Sequence, residues 1–444
     1  MRKISTIIRW LLVIIGIYIV FQLLSGFYAV LNGGSLTDLV WVFAGDLHQD
    51  REHRTNFLLL GVGGENHDGG ELTDTFLIAS YHHDFNTLSM LSIPRDFWAK
   101  AGDGFGMRVN KIYEYEKKRL KDSESALESV SKVASEITNL PIHYFAKVDF
   151  EGFTDLIDAL GGVKILVEEA IDDPFYPCPD LLNFCPFEIS AGAQALDGAT
   201  ALKFARSRKT TSDFDRAERQ QKILEAIREK AFEKEILTNP RKLKQLWNIF
   251  KDRVETNLRF REIMRIGKVA DEFNKQNLAS IVLNDEPTFT GGILYAPNRE
   301  DYNGAAVLLP NGNDFRKIHA ITDILFLHPQ VAVDQLTIEV LNGSGTPRLA
   351  EKAAYALNRY GLNTARINNY PGGTLAKTTI YFYDEETTSE TAKILRNFTG
   401  GKIEFGPVEL RKRGFDLTLV LGKDWRGVEG ACDVQRAFKL KPFS

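Results

Sequence analysis

The chain has no excess of positive charge and few cysteines. Its 444 residues carry a formal net charge of −4 at pH 7, and no helix-turn-helix pattern with a basic recognition face is present, so nucleic-acid binding is not expected. Cys178 and Cys185 have no histidine or further cysteine at zinc-ligand spacing, which argues against a zinc site. The glycine-rich stretch Gly61–Thr75 lacks a following Gly-Lys-Ser/Thr, which excludes a P-loop.

The three cysteines leave two interpretations open. Cys178 and Cys185 lie close together in the loop YPCPDLLNFCPF, where an oxidising exterior would favour a local disulfide and a reducing compartment two free thiols. Cys432 is expected to be an unpaired thiol.

One long apolar run is present near the N-terminus. Trp10–Leu31 is interrupted only by one glutamine, one serine and glycines, and about 20 apolar residues are enough to cross a bilayer. Basic residues that precede a span favour a cytoplasmic N-terminus, and here they are Arg2, Lys3 and Arg9. We therefore expect residues 1–34 to hold a single transmembrane helix in the cell membrane, with the bulk of the chain extracytoplasmic. A retained signal peptide or a buried core helix are the alternatives.

Beyond this run, alternating strand and helix patterns predict two layered α/β domains. With 44% hydrophobic and 26% charged residues, the composition is that of a globular protein. The predicted organisation is a juxtamembrane linker over 35–55, a first domain over 56–328, a hinge at His328-Pro329, a second domain over 335–425 and a tail over 426–444.

Within the first domain the patterns predict strands and helices in turn. Strands are expected at Asn56–Val62, Asp74–Tyr81, Thr87–Ile93, Ile142–Asp149 and Val163–Val167, and helices at Ser123–Ile137, Phe150–Leu160 and through most of 195–274.

The segment Ala201–Leu224 is unusually rich in arginine. On a helix its second half places arginines and a glutamine on one face, because residues three and four apart are neighbours. Planar guanidinium groups match phosphate oxygens in pairs, so an anionic ligand with an apolar tail is one interpretation, and a solvated helix with local ion pairs is the other. The polar residues concerned are Arg206, Arg208, Asp213, Arg216, Arg219 and Gln220.

Two carboxylates are predicted at strand ends. Asp74 opens one strand, and Asp96 follows another in SIPRDF, beside Arg95. Magnesium prefers one or two carboxylates and takes its other oxygens from water and phosphate, so Asp74 and Asp96 could hold such an ion. Arg108 in MRVNK adds a further cation. Acids for a metal and arginines for a phosphate are the residue types that phosphoryl transfer needs.

Residues 56–230 resemble the catalytic domain of the LytR-CpsA-Psr (LCP) family of cell-wall glycopolymer transferases. The matching motifs are LTDT, LSIPRD, RVNK, DFEGFTDLIDALGGV, LDGATALKFARSR and DFDRAERQQKIL. The second domain, from IEVLNGSG to LTLVLGKDW, resembles the LytR C-terminal domain. The resemblance implies an LCP-type mixed sheet flanked by helices, followed by a small α/β domain.

The resemblance also implies a magnesium-dependent phosphotransferase. It would move a glycopolymer from a polyprenyl-pyrophosphate carrier to a peptidoglycan sugar hydroxyl and release polyprenyl phosphate, with the polyprenyl tail in an apolar tunnel between sheet and helices. By motif match, Asp74 and Asp96 would be the metal ligands, Asp213 would orient arginines, and Arg95, Asp96, Arg206 and Arg208 would be the catalytic residues. The pyrophosphate would be bound by Arg95, Arg108, Arg206, Arg208, Arg216, Arg219 and Gln220.

The chain departs from the family pattern in two places. GVGGENHDGG stands where members commonly have a Gly-x-Asp-x-Arg turn, and residues 174–187 look like an insertion. Two other functions stay open: a membrane-anchored wall-binding or scaffold protein without turnover, and a pyrophosphatase that uses water as acceptor.

Overall fold

The computed structural model describes residues 46–64, 69–178, 183–207, 213–231, 233–237, 239–272, 277–285, 293–334, 336–358 and 360–425. The expected transmembrane run, Cys432 and the tail lie outside these residues. Within the described ranges, no helix combines the length and apolarity that a bilayer crossing requires.

A mixed six-stranded sheet forms the centre of the first domain. Its strands are β1 (Arg54–Val62), β2 (Thr73–His82), β3 (Thr87–Ser92), β6 (Tyr144–Asp149), β11 (Val254–Thr256) and β12 (Leu278–Val282). Their spatial order is β11-β6-β1-β2-β3-β12, with β1 parallel to β6, β3 parallel to β12 and the other neighbours antiparallel. The mixed sheet expected from the family resemblance is therefore present.

Shorter strands form hairpins around this sheet. They are β4 (Trp98–Lys100) with β5 (Gly106–Arg108), β7 (Val163–Val167) with β10 (Gly192–Leu196), β8 (Ile171–Asp173) with β9 (Phe187–Ile189), and β13 (Leu294–Tyr295) with β14 (Leu309–Pro310). Cys178 and Cys185 form a disulfide in the loop that joins β8 to β9, so the disulfide is the interpretation found.

Helices cover both faces of the sheet. They are α1 (Val109–Leu120), α2 (Ser123–Thr138), α3 (Phe150–Leu160), α4 (Gly198–Arg206), α5 (Asp213–Ala231), α6 (Lys234–Leu237), α7 (Pro240–Arg253), α8 (Phe260–Glu272) and α9 (Arg316–Thr322), with a 3₁₀ turn at Arg299–Tyr302 and a π-helix at Asp323–Leu327.

Local signals set several of these boundaries. The Asp149 carboxylate accepts a hydrogen bond from the Gly152 amide and begins α3, which ends at Gly161 with φ of 85°. Asn239 caps α7, and Pro240 occupies its first turn, where a missing N–H costs nothing.

The two faces of the sheet differ in burial. On one face Leu58, Phe76 and Ile78 are almost fully buried with α1 and α2 in a large core. On the other face, partly buried Phe57 and other apolar side chains pack with a smaller cluster that includes Leu77. The partly buried members besides Phe57 are Leu59, Leu88, Leu224 and Leu278.

The second domain is built on a five-stranded sheet of order β16-β15-β19-β17-β18. Its strands are β15 (Ile338–Asn342), β16 (Thr364–Asn369), β17 (Thr379–Phe382), β18 (Lys402–Phe405) and β19 (Leu417–Leu421), and its helices are α11 (Leu349–Asn358), α12 (Glu385–Thr399) and α13 (Val408–Arg411).

A short helix, α10 (Pro329–Asp334), connects the domains and contacts both. Val331 is buried in the same hydrophobic cluster as Leu91 of the first sheet and Val340 of the second. A short helix therefore follows His328 and packs into the core, and the hinge at His328-Pro329 stays a prediction.

Candidate active site

The mixed sheet brings several strand ends to one edge. β1 ends at Val62, which is paired with Asp149, the last residue of parallel β6, and antiparallel β2 begins beside them at Thr73. β3 ends at this edge too, since it runs antiparallel to β2. Asp74 and the turn after β3 therefore share one end of the sheet.

Asp74, Arg95, Asp96 and Arg108 form one ionic cluster at this edge. Arg95 Nη1 donates to Asp74 Oδ1 at 3.2 Å, and Arg95 Nε lies 3.7 Å from Asp96 Oδ2. Arg108 Nη1 donates to Asp96 Oδ1 at 2.9 Å. The two aspartates are thus bridged by one guanidinium, and all four side chains are partly exposed. The structure brings these four side chains together, and their roles as metal ligands and phosphate contacts stay predictions.

The backbone around the cluster explains its geometry. Pro94 follows β3, and the amide of Phe97 donates to the Pro94 carbonyl at 2.9 Å, so Arg95 and Asp96 lie in a tight turn. The amide of Asn110 donates to the Arg95 carbonyl at 3.2 Å. Arg108 is the last residue of β5 and the N-cap of α1, so the start of that helix is fastened to the turn.

Helix α5 docks on the same edge through two glutamines. Thr75 Oγ1 donates to Gln220 Oε1 at 3.2 Å, and Gln221 Nε2 donates to Ser92 Oγ at 3.1 Å. Thr75 is adjacent to Asp74 in the chain, so these bonds fasten the arginine-rich helix to the strand that carries Asp74. The contact of Gln220 with pyrophosphate stays a prediction.

Arg206 lies at the end of α4. Its guanidinium carbon is 4.2 Å from the centre of the Phe150 ring, and Phe150 directly follows β6 at the same edge of the sheet. Its Nη1 donates to the Tyr176 hydroxyl at 3.4 Å. A guanidinium over an aromatic face is stabilised by the ring quadrupole, so two aromatic rings restrict this long side chain.

Arg219 points into the protein. It is 7% exposed, and it donates from Nε to the Phe204 carbonyl at 3.0 Å and from Nη2 to the Ser207 carbonyl at 2.5 Å. These contacts fasten the C-terminal end of α4 to α5. Its contact with pyrophosphate stays a prediction.

The structure does not describe the side chains of three predicted site residues. Arg208 lies outside the described residues, and Asp213 and Arg216 lie in α5 with their side chains outside the description. Thr75, Phe150 and Tyr176 were not singled out from the sequence. Thr75 belongs to the LTDT motif, which was a usable signal, whereas the contact of Tyr176 depends on how the β8–β9 hairpin folds back.

The donor set at the cluster fits a magnesium ion. Asp74 and Asp96 supply hard carboxylate oxygens close to one guanidinium, and magnesium commonly takes two carboxylates and completes its shell with water and phosphate. Among the described residues, no group of three or more histidine, cysteine, aspartate or glutamate side chains is arranged to hold a metal.

A buried lysine lies beneath this edge. Lys147 Nζ donates to Tyr113 Oη at 2.7 Å and lies 2.6 Å from Glu255 Oε1. Burial opposes its charge, but the hydrogen bonds that Lys147 donates to Glu255 and Tyr113 outweigh burial and raise the pKa of Lys147. Lys117 Nζ bonds to Glu71 Oε1 at 2.7 Å, which fastens the segment that leads into Asp74.

Comparison with known proteins gives consistent matches over both domains. The model of the LytR_cpsA_psr family matches residues 42–308, and the model described as "LytR cell envelope-related transcriptional attenuator" matches 335–425. Cell wall biosynthesis protein LcpA of Corynebacterium glutamicum is 26% identical over 395 residues, which cover 80% of this chain and 71% of LcpA.

Two further relatives match the first domain. The polyisoprenyl-teichoic acid–peptidoglycan teichoic acid transferase TagU of Oceanobacillus iheyensis is 32% identical over 206 residues, which cover 46% of this chain and 58% of TagU. The crystal structure of Bacillus subtilis TagV is also similar. The matched region covers 62% of this chain and 97% of the TagV chain, with 22% sequence identity and a TM-score of 0.47.

Proposed function

We propose, from the fact that the chain belongs to the LytR_cpsA_psr family, that it transfers a glycopolymer from a polyprenyl-pyrophosphate carrier to a sugar hydroxyl of peptidoglycan. The names of its relatives LcpA and TagU support cell-wall biosynthesis and teichoic acid transfer as the relevant chemistry. In this proposal Trp10–Leu31 anchors the protein in the cell membrane, and the catalytic domain is extracytoplasmic.

A single observation carries the proposal. The hydrogen bond between Thr75 and Gln220 joins two segments that are far apart in the chain, and it fastens the arginine-rich helix to the strand whose Asp74 pairs with Arg95, which supports a shared site. A site with two acids and several guanidiniums suits a pyrophosphate, because planar donors pair with its non-bridging oxygens.

We propose that Asp74 and Asp96 hold a magnesium ion at this site. When bound, the ion would neutralise charge on the pyrophosphate oxygens. Arg95 is the shared partner of both carboxylates, so it would orient them and remain close enough to contact the phosphate.

The arginines would carry most of the transition-state stabilisation in this proposal. Arg206 is held over Phe150, so its charge is oriented before substrate binds. Arg108 and Arg95 each lie near one oxygen of Asp96, and the proposed magnesium ion would share this carboxylate with them, which argues against a general-base role for it. The acceptor hydroxyl would attack the phosphorus that carries the sugar and lose its proton to solvent, and polyprenyl phosphate would leave with the oxygen that bridges the two phosphates.

The apolar tail of the carrier needs a hydrocarbon surface next to the pyrophosphate. The second face of the sheet offers one, since its partly buried Phe57, Leu59 and Leu88 face Leu224 of α5. Helix α8 adds apolar side chains that are likewise only partly buried, among them Ile263 and Ile266. We propose that the polyprenyl chain lies between this sheet face and helices α5 and α8.

The test is turnover of a synthetic polyprenyl-pyrophosphate-linked sugar by the full chain in detergent. We expect polyprenyl phosphate to be released in magnesium, release to stop with EDTA, and the sugar phosphate to appear on added peptidoglycan fragments. Asp74→Asn should abolish release, whereas Asp314→Asn, which alters an exposed ion pair with Arg316, should not. Release without attachment would indicate a pyrophosphatase. Binding without release would indicate a scaffold protein.

A further inference from the structure

Strands β8 and β9 form a hairpin whose described residues, 171–178 and 183–189, are joined by the disulfide and by backbone hydrogen bonds. We name these described residues the cysteine hairpin. The Cys178 amide donates to the Asn183 carbonyl at 2.9 Å, and the Cys185 amide donates to the Tyr176 carbonyl at 2.8 Å. Tyr176 is therefore fastened through its main chain to the disulfide-bonded loop.

Two buried side chains of the cysteine hairpin contact the end of α4. Ser207 Oγ donates to Asp173 Oδ2 at 2.8 Å, and these two residues are 1% and 4% exposed. The Tyr176 hydroxyl accepts from Arg206 Nη1 at 3.4 Å, and the Tyr176 ring centre lies 5.7 Å from the Arg206 guanidinium carbon. Both contacts end on the Arg206-Ser207 pair.

Helix α5 holds the same chain end through its main chain. Arg219 of α5 donates to the carbonyls of Phe204 and Ser207, so both α5 and the cysteine hairpin contact the end of α4. Arginine has high side-chain entropy, and a binding site gains affinity when such a side chain is ordered before the ligand arrives. The hairpin contacts would supply that order to the Arg206 side chain.

We propose that Asp173 and Tyr176 are positioning residues, which direct Arg206 toward the pyrophosphate, and that the Cys178–Cys185 disulfide holds them in place. This inference rests on the proposed function, because it assigns Arg206 to pyrophosphate. A purely structural role predicts a different result: a loss of stability with no change in affinity for the anion.

The first experiment measures binding of inorganic pyrophosphate with magnesium to the full chain by calorimetry. We expect Asp173→Ala and Tyr176→Phe each to weaken binding about tenfold, within the range typical of lost supporting contacts. Asp173→Asn keeps an oxygen that can accept from the Ser207 hydroxyl, so it should restore most of the affinity. The matched control is Tyr383→Phe, which removes a buried hydroxyl paired with Thr418 in the second domain and should bind normally.

The second experiment does not depend on the ligand. The Ser207 amide donates to the Lys203 carbonyl at 2.9 Å, so hydrogen exchange at this amide reports whether the end of α4 is held. We expect faster exchange in Asp173→Ala and in the double variant Cys178→Ser, Cys185→Ser, and none of this change in Tyr383→Phe.

The outcomes separate the two proposals. If the unmodified protein neither binds pyrophosphate nor releases polyprenyl phosphate, the proposed function is wrong, and exchange at Ser207 alone decides whether the hairpin orders this segment. If the unmodified protein binds and the hairpin variants bind equally well, the inference about Asp173 and Tyr176 is overturned. Unchanged exchange in the double cysteine variant would remove the disulfide from the proposal.

Discussion

Arg95→Met is expected to cost far more in turnover than in folding. Arg95 lies 3.2 Å from a carboxylate oxygen of Asp74 and 3.7 Å from one of Asp96, and its side chain is 22% exposed. Methionine keeps most of the aliphatic stem but removes the charge that bridges the two carboxylates. The two aspartates would then repel each other at the place where the pyrophosphate is proposed to bind.

The magnitudes of the two effects differ. Partly exposed ion pairs contribute about 1 kcal/mol or less each, so losing both contacts should lower the free energy of unfolding by at most about 2 kcal/mol. Removing a preoriented donor from developing transition-state charge costs about 10²–10³ in rate. We therefore expect kcat for polyprenyl phosphate release to fall about 10²–10³-fold, with a small shift in the urea midpoint.

The assay compares Arg95→Met with the same substitution at another arginine that forms an ion pair, in the second domain. Arg348 forms an ion pair with Glu351 in the second domain at 2.7 Å, is 75% exposed, and serves as the matched control in Arg348→Met. Its turnover should equal that of the unmodified protein. A kcat for Arg95→Met within about fivefold of the control would refute an active role for Arg95, because it is smaller than the loss of one such donor.

Three further predictions concern the fold. Burial lowers the pKa of His82 from 6.5 to about 4, so the folded state binds a proton at His82 less readily than the unfolded chain does. The free energy of unfolding should therefore fall by up to about 3 kcal/mol as the pH falls from 6.5 to 4. Urea titrations of His82→Gln at both pH values should show a smaller fall. Lys147→Met leaves a half-exposed glutamate without its buried cation and should cost about 2 kcal/mol in urea unfolding, whereas exposed Lys118→Met should stay within about 0.5 kcal/mol. Gly198→Ala should lower the free energy of unfolding, measured with urea, by about 1–3 kcal/mol, because the new Cβ would lie 2.7 Å from Thr154 Cα. An unchanged free energy of unfolding would contradict the close packing of α4 on α3.

Elements with strong local signals were predictable from the sequence. The helix Phe150–Leu160 was expected with the bounds that the structure gives, because a capping aspartate and a terminal glycine mark its two ends. Helix Val109–Leu120 was not expected, since its N-cap, Arg108, makes no side-chain capping bond and its first turn has no acidic residue. The short edge strand Lys402–Phe405 was also missed, because its pairing with Thr379–Phe382 is a tertiary contact.

The candidate site was predictable only where residues follow strand ends. The sequence predicts that Asp74 and Asp96 lie close together, since adjacent strands end at a common edge of the sheet. The bond from Thr75 to Gln220 spans 145 residues of sequence and has no local signature. The inward direction of Arg219 was equally hidden, because helical periodicity gives a face but not what that face packs against.

The helix between the domains affects how deletion variants should be interpreted. Val331 and Val340 belong to the same hydrophobic cluster as Leu91, so a chain cut near residue 334 would uncover apolar surface on the first domain. Aggregation or poor expression of such a truncated chain would then reflect exposed hydrophobic core residues. It would be no sign that the second domain binds a ligand of its own, and point substitutions on its outer surface are the sounder way to look for one.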